Sequence, residues 1–216
     1  MTTTVIFDLD GVLVDSRAVF LSCVNYAFDK LGLPRRESAE LLPYIGPPFA
    51  FGFSQLLGVA PEAPIVAACI DGYRERYATA MLTETTVPPG IPEALSALHD
   101  HRLAVATSKP QAFAEPLLEA MGLREHFDVI AGPDLKTPAE DKTETLGRAL
   151  RLLGPTRAIM VGDRSFDIVA ARAHGLPSIG VTWGIGTAEE LSTAGAGRLI
   201  ATPAELPGAA SVLLAQ

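Results

Sequence analysis

The sequence predicts an α/β fold: a Rossmann-like, mostly parallel sheet with a small all-helical module inserted after its first strand. Three observations carry the prediction. From Pro88 onward, short apolar runs alternate with helix-like segments, the pattern of strands buried on both faces beneath covering helices. Between residues 16 and 84 every segment is helix-like, separated by Gly and Pro signals, and no credible strand interrupts. Deleting that stretch joins the opening strand to one continuous alternation of strand and helix. The expected division is therefore 1–15 with 85–216 for the α/β core and 16–84 for the helical module. At 216 residues the chain holds one well-sized core and a small module, but not two ordinary domains.

The elements follow in order. TTTVIF reads as a strand, and SRAVFLSCVNYAFDKLG as an amphipathic helix closed by Gly32 and Pro34. SAELLPYIG, FAFGFSQLLG and PEAPIVAACIDGYRERYATAML are the other helical segments of the module. PPGIPEALSALHDH is a helix, RLAVATS a strand, KPQAFAEPLLEAMG a helix, FDVIAG a strand and DKTETLGRALRLLG a helix. RAIMVG, SFDIVAARAHG and PSIGVTW continue as strand, helix and strand, and GRLI adds a short edge. Thr187 and Glu190 have the spacing of a helix capping box.

Composition narrows the function. A net charge of −8 without a local basic cluster argues against nucleic acid and anionic membrane as partners; Arg35-Arg36 reads as a solvated face. No signal-peptide pattern or spanning apolar run is present, and Cys23 and Cys69 lack ligand-like spacing, as buried free thiols of a reducing compartment do. The expectation is a soluble cytoplasmic protein, monomer or homodimer.

In a parallel sheet, side chains leaving the carboxyl ends of the strands converge on one crevice. Asp8 and Asp10 leave the first strand, Thr107 and Ser108 the second, Asp134 the third and Asp163 the fourth, with Asp167 four residues further on. Asp134 alone reads as a cap or turn residue. Convergent acids need a cation, and oxygen ligands without a His or Cys cluster favour a hard ion, magnesium. His99, His101, His126 and His174 sit at element ends and read as structural or solvent-facing. A carboxylate-bound metal handles a phosphorylated substrate, for which Thr107 offers a hydroxyl and a backbone N–H and Lys142 a positive charge, with Lys136 and Lys109 as rivals for that charge. The DxD spacing then suggests a division of labour: Asp8 attacks phosphorus, while Asp10 protonates the departing alkoxide and later takes a proton from water. Gly11 lets the chain turn away beside the site.

These residues resemble the haloacid dehalogenase-like hydrolase superfamily, and within it the phosphoglycolate phosphatase-like branch with a helical cap. DLDGVLVDS is similar to its first motif, ATSKP to the second, DKTETL to the segment carrying the third-motif lysine, and GDRSFDI to the fourth. The likeness spans nearly the whole chain. It implies that Asp8 is the phosphorylated nucleophile and Asp10 the general acid/base, whose carbonyl also binds magnesium. It further implies Asp163 as a direct metal ligand and Asp167 as one acting directly or through water, Thr107 as a phosphoryl-oxygen contact and Lys142 as the neutralising cation. Gly11, Ser108, Arg17 and Gly46 join Thr107 and Lys142 as expected substrate contacts; Ser108 stands where relatives often carry asparagine, and Ile45-Gly46-Pro47-Pro48 resembles the specificity loop of the cap. For Arg74 and Arg76 a solvated helix face is expected, and TWGIG resembles an entrance loop in which Trp183 packs.

The substrate class implied is a small phosphomonoester, 2-phosphoglycolate first and a nucleoside 5'-monophosphate second. A haloacid dehalogenase would need neither Asp10 nor the acidic metal site. A phosphonate hydrolase would need a desolvated cap lysine, and Lys30, the only lysine between residues 16 and 84, stands just before LG at a helix end, a poor place for one. A sugar phosphomutase would share the aspartyl-phosphate, but its relatives often carry Glu-Asp where this chain has Gly162-Asp163. A binding protein on this scaffold would be expected to lack one of the acids, and all are present.

Overall fold

The structure, a computed structural model, describes residues 2–45, 48–135 and 140–215. The chain divides into two compact units: Met1–Asp15 with Thr86–Gln216, and Ser16–Thr85. Strand β1 (Thr3–Phe7) opens the first unit. The second unit follows as α1 (Arg17–Lys30), α2 (Ser38–Leu41), a 3-10 turn at Leu42–Tyr44, α3 (Phe49–Leu57) and α4 (Pro64–Glu84). Within it α1 packs on α4 at a close approach, where a methyl group on Gly72 would lie 3.0 Å from the Ala27 side chain. Phe49, Tyr73 and Tyr77 form a run of ring contacts with centroids 4.5 and 5.5 Å apart. The expected helix SAELLPYIG is two short pieces, because Pro43 cannot continue the hydrogen bonding of α2.

The first unit resumes with α5 (Ile91–Ala97), β2 (Arg102–Ala106), α6 (Gln111–Ala120), β3 (Val129–Ala131) and α7 (Lys142–Leu153). It ends with β4 (Arg157–Gly162), α8 (Ser165–Ala173), β5 (Ser178–Val181), α9 (Ala188–Ala194), β6 (Arg198–Ile200) and α10 (Leu206–Leu214). The six strands form one parallel sheet in the order β3-β2-β1-β4-β5-β6. The order reverses at β1, so β1 and its two neighbours flank the switch point at which such sheets bind ligands.

Alternation along β1 feeds both faces of the sheet. Val5 and Phe7 join the larger cluster, with Leu95 of α5, Leu117 of α6 and Leu206 of α10, while Ile6 joins the other, with Leu146 of α7 and Ala170 of α8. That second face is rich in alanine, at Ala104, Ala106, Ala149 and Ala171, and α7 and α8 are the helices whose first turns carry Lys142 and Asp167. Asp15 and Thr86, which flank the insertion, exchange backbone hydrogen bonds of 2.7 and 3.2 Å. Among the described residues no helix is long and apolar enough to cross a membrane.

Candidate active site

The site begins where β1 runs out. Asp8 N–H still donates to Val161 of β4 at 2.9 Å, so the ladder carries Asp8 to the sheet edge. The chain then turns sharply: Gly11 has φ +86° and its N–H donates to the Val14 carbonyl at 2.8 Å. A methyl group on Gly11 would lie 2.1 Å from Asp163 Oδ2. Gly11 is thus required both by its left-handed backbone and by the acid lying against it.

Asp163 follows β4 and Asp167 lies in the first turn of α8, both buried. One carboxylate oxygen from each of Asp8, Asp163 and Asp167 lies within 4.8 Å of the others. Lys142, which opens α7 behind the Asp141 cap, places its ammonium 2.6 Å from Asp8 Oδ1 and 2.8 Å from Asp167 Oδ1. Its side chain is 6% exposed. Burial opposes the charge of this lysine, but Asp167 and Asp8 outweigh it and hold the group firmly protonated.

The acids pay for the same burial. Asp8 is pushed up from 3.8 to about 6, first by desolvation, against which Lys142 works, and then by Asp167 and Asp10. Asp163 is raised well above the ordinary range by desolvation, then by Asp167 and Asp8. Three carboxylates face one ammonium, and Asp163 Oδ1 is buried with no hydrogen-bond partner among the described residues. An octahedral magnesium places its ligand oxygens about 3–4 Å apart. In spacing, hardness and surplus negative charge this donor set fits one divalent cation.

A titration follows. Raised folded-state pKa values mean that the metal-free protein holds protons its unfolded chain releases, so this contribution to stability is present at low pH and lost as pH rises through about 6. Glu75, Glu190 and Glu205 are held below 4.5, act in the opposite sense, and are ionised in both states above about pH 5. Thermal melts in chelator are therefore expected to fall between about pH 5 and 7, and magnesium to offset more of that fall at the upper end. A midpoint that rises with pH in chelator would contradict this electrostatic account.

The segment after β5 is tied into the site. Ile185 N–H donates to Asp163 Oδ2 at 2.8 Å, and methyl groups on Gly184 and Gly186 would lie 2.4 Å from Asp163 Oδ2 and 2.0 Å from its carbonyl oxygen. Trp183 packs against the larger cluster and donates its indole N–H to the Val12 carbonyl at 3.1 Å. Thr187 accepts from Glu190 N–H as a cap, but the Glu190 carboxylate does not complete the box. It accepts from Ser165 N–H at 2.8 Å and Arg164 Nε at 3.1 Å, bracing the turn between Asp163 and Asp167. Neither this brace nor the glycine packing is visible in local spacing.

Thr107 is buried at the exit of β2, and one expectation is corrected there: its N–H is spent on the Ala131 carbonyl at 2.9 Å, as an extension of the β2–β3 pairing. Its hydroxyl oxygen accepts from Lys109 N–H at 3.1 Å, which leaves the hydroxyl proton to donate. Ser108 is exposed. The Asp10 side chain turns to Lys109, with Oδ2 2.9 Å from Nζ, and is not among the three clustered acids. Asp134 is exposed beyond β3 and also stands outside the cluster. Arg17 opens α1 in the helical unit, where Arg76 pairs with Glu84, Arg74 is exposed, and Lys30 pairs with Glu75 on the surface. Lys30 is therefore not a desolvated amine. Gly46, Pro47 and Lys136 lie outside the described residues.

Comparison with known proteins gives the site its context. A sequence model described as haloacid dehalogenase-like hydrolase matches residues 5–181. A 5'-nucleotidase of Pseudomonas aeruginosa is 37% identical over 87% of this chain and 86% of its own. A phosphoglycolate phosphatase of Chromobacterium violaceum is 33% identical over 94% of this chain and 93% of its own. Among solved structures, a predicted phosphatase from Clostridium acetobutylicum is similar with a TM-score of 0.89 at 34% identity, covering 99% of this chain and 100% of the other.

Proposed function

The chain belongs to the haloacid dehalogenase-like hydrolases, and on that premise we propose that it is a magnesium-dependent phosphatase of a small phosphomonoester, working through an aspartyl-phosphate on Asp8. One observation carries this reading: Lys142 bridges Asp8 and Asp167 while Asp163 completes a buried group of acids within 4.8 Å. A nucleophilic carboxylate, a fixed cation and a metal-sized set of hard donors thus meet at the end of the central strand.

Asp8, Asp163 and Asp167 would hold the ion, with the Asp10 carbonyl as a further ligand. Bound magnesium supplies neutralisation of phosphoryl-oxygen charge and orients the group for displacement. Asp8 forms a bond to phosphorus as the bond to the ester oxygen breaks, and Asp10 gives that oxygen its proton. Asp10, now a carboxylate, takes a proton from the water that attacks the aspartyl-phosphate, which releases inorganic phosphate and restores both acids. Lys142 keeps Asp8 oriented and balances charge through both displacements, and the Thr107 hydroxyl donates to a phosphoryl oxygen. Gly11 serves by its turn, since its own N–H is already bonded.

The favoured substrate is 2-phosphoglycolate, supported by the resemblance of the motifs and by the C. violaceum relative. The P. aeruginosa relative supports a second reading, a nucleoside 5'-monophosphate. Phosphate release from both compounds, with sugar phosphates beside them, in magnesium and in chelator, separates the two. A specificity constant for phosphoglycolate at least about tenfold above the nucleotides, a difference of about 1.4 kcal/mol in transition-state binding, is expected; the reverse ranking would replace the favoured substrate by the second.

A further inference from the structure

We propose that Lys109 is a positioning residue for the proton-transferring Asp10, fixing one carboxylate oxygen so that the other is presented to the departing ester oxygen; the inference rests on the phosphatase reading above. Among the described residues two lysines reach the opening acids, and they do different work. Lys142 serves Asp8 and Asp167. Lys109 places Nζ 2.9 Å from Asp10 Oδ2, with 9% of its side chain exposed. An ammonium withdrawn that far from water is stable only where a counter-charge offsets its lost hydration, and Asp10 is such a partner.

The backbone of Lys109 is held as firmly as its side chain. Its N–H donates to Thr107 Oγ1 at 3.1 Å. Its carbonyl lies against Gly132 at the exit of β3, where an added methyl group would sit 2.3 Å away. Gln111 N–H, just beyond, donates to the Pro133 carbonyl at 3.0 Å. Arg148 of α7, paired with Glu140 at 3.1 Å, donates to the Gly132 carbonyl. The exits of β2 and β3 and the helix carrying Lys142 therefore converge on the placement of Lys109.

Asp10 shows the complementary feature. Oδ2 is occupied by Lys109, whereas Oδ1 is buried with no hydrogen-bond partner among the described residues. A carboxylate on a turn can rotate about two side-chain torsions, and a misplaced proton donor loses much of the benefit of general acid catalysis. The Lys109 ammonium donates to Oδ2 both when Asp10 is ionised and when Oδ1 carries the proton, which removes that freedom and leaves Oδ1 as the oxygen that exchanges the proton.

The test separates positioning of the acid from general damage. Specificity constants are measured for wild type, Lys109→Met, Lys109→Arg and Asp10→Asn on an alkyl phosphate, which needs its leaving oxygen protonated, and on p-nitrophenyl phosphate, whose leaving group does not. Lys109→Met is expected to lose about 10- to 100-fold on the alkyl ester, a fraction of the roughly 10²- to 10⁴-fold that general acid catalysis contributes, and less than about threefold on the aryl ester. Asp10→Asn should show the same selectivity more strongly, and Lys109→Arg should recover most of the alkyl activity. Equal losses on both esters, or none, with Asp10→Asn still selective, would overturn the role of Lys109 while leaving the phosphatase reading intact. No phosphate release by wild type from any ester, or no selectivity in Asp10→Asn, would overturn both.

Discussion

Asp8→Asn protein is expected to release phosphate at a rate lower by roughly 10⁴-fold or more, the scale of loss when a covalent nucleophile is removed, and yet to be at least as stable as wild type in chelator. The two effects have one cause. Asp8 lies at the end of the central strand with its carboxyl pushed up to about 6 by burial and by Asp167 and Asp10; its charge is costly in the metal-free protein and, in the proposed mechanism, needed for attack on phosphorus. An amide of the same shape removes the cost together with the chemistry. The substitution should also flatten the fall in melting temperature between about pH 5 and 7, because one of the two raised acids is gone. Initial rates and melts in chelator on the same preparation check both halves. An active Asp8→Asn enzyme would remove the nucleophile assignment, and a strongly destabilised one would remove the electrostatic explanation.

Lys142→Ala is expected to act in the opposite sense on stability. Asp8 and Asp167 would lose the ammonium at 2.6 and 2.8 Å, leaving three clustered carboxylates without that countercharge. Breaking a buried pair from one side costs about 3–5 kcal/mol, and about 2–4 °C per kcal/mol applies to a chain of this size, so a fall of roughly 10 °C in chelator at neutral pH is expected. The fall should be smaller near pH 5, where the acids can take up protons. Activity should drop by roughly 10²- to 10³-fold, as when a preorganised charge contact is lost. Circular dichroism melts at the two pH values, paired with initial rates, check the prediction. An unchanged melting temperature would mean that Lys142 does not carry the charge balance of the site.

Much of this fold is legible in the residue pattern alone. Every strand lies within an apolar run read from the sequence, because a strand covered on both faces admits few polar residues. The acids were legible for a related reason: a carboxylate at the end of such a run lands at the sheet edge. Boundaries were less so. The helix expected from Pro88 begins at Ile91, after Gly90 takes a left-handed conformation, and the one expected from Pro61 begins at Pro64, where proline suits a first turn. Residue order alone offers the N–H of Thr107 as a substrate donor, but the β2–β3 pairing extends one residue further and claims it.

What spacing could not show are contacts between distant segments. Glu190 reads locally as the return partner of Thr187, and in the fold it reaches across to Ser165 and Arg164. Gly184 and Gly186 read as loop residues, and in the fold they leave room for Asp163. Lys109 stood in the sequence as one of three lysines near the site, and only the convergence of the β2 and β3 exits places it on Asp10. A signal for the glycines was present in the repeat of small residues after the fifth strand, but its meaning depends on what packs against them.

The most direct measurement of the central claim is to quench wild-type enzyme during turnover in magnesium, trap the phosphorylated carboxylate chemically, and map it by mass spectrometry. The modification is expected on the peptide spanning Val5–Ser16, at Asp8. Turnover with the modification at another residue, or with none at any stage of the reaction, would contradict it.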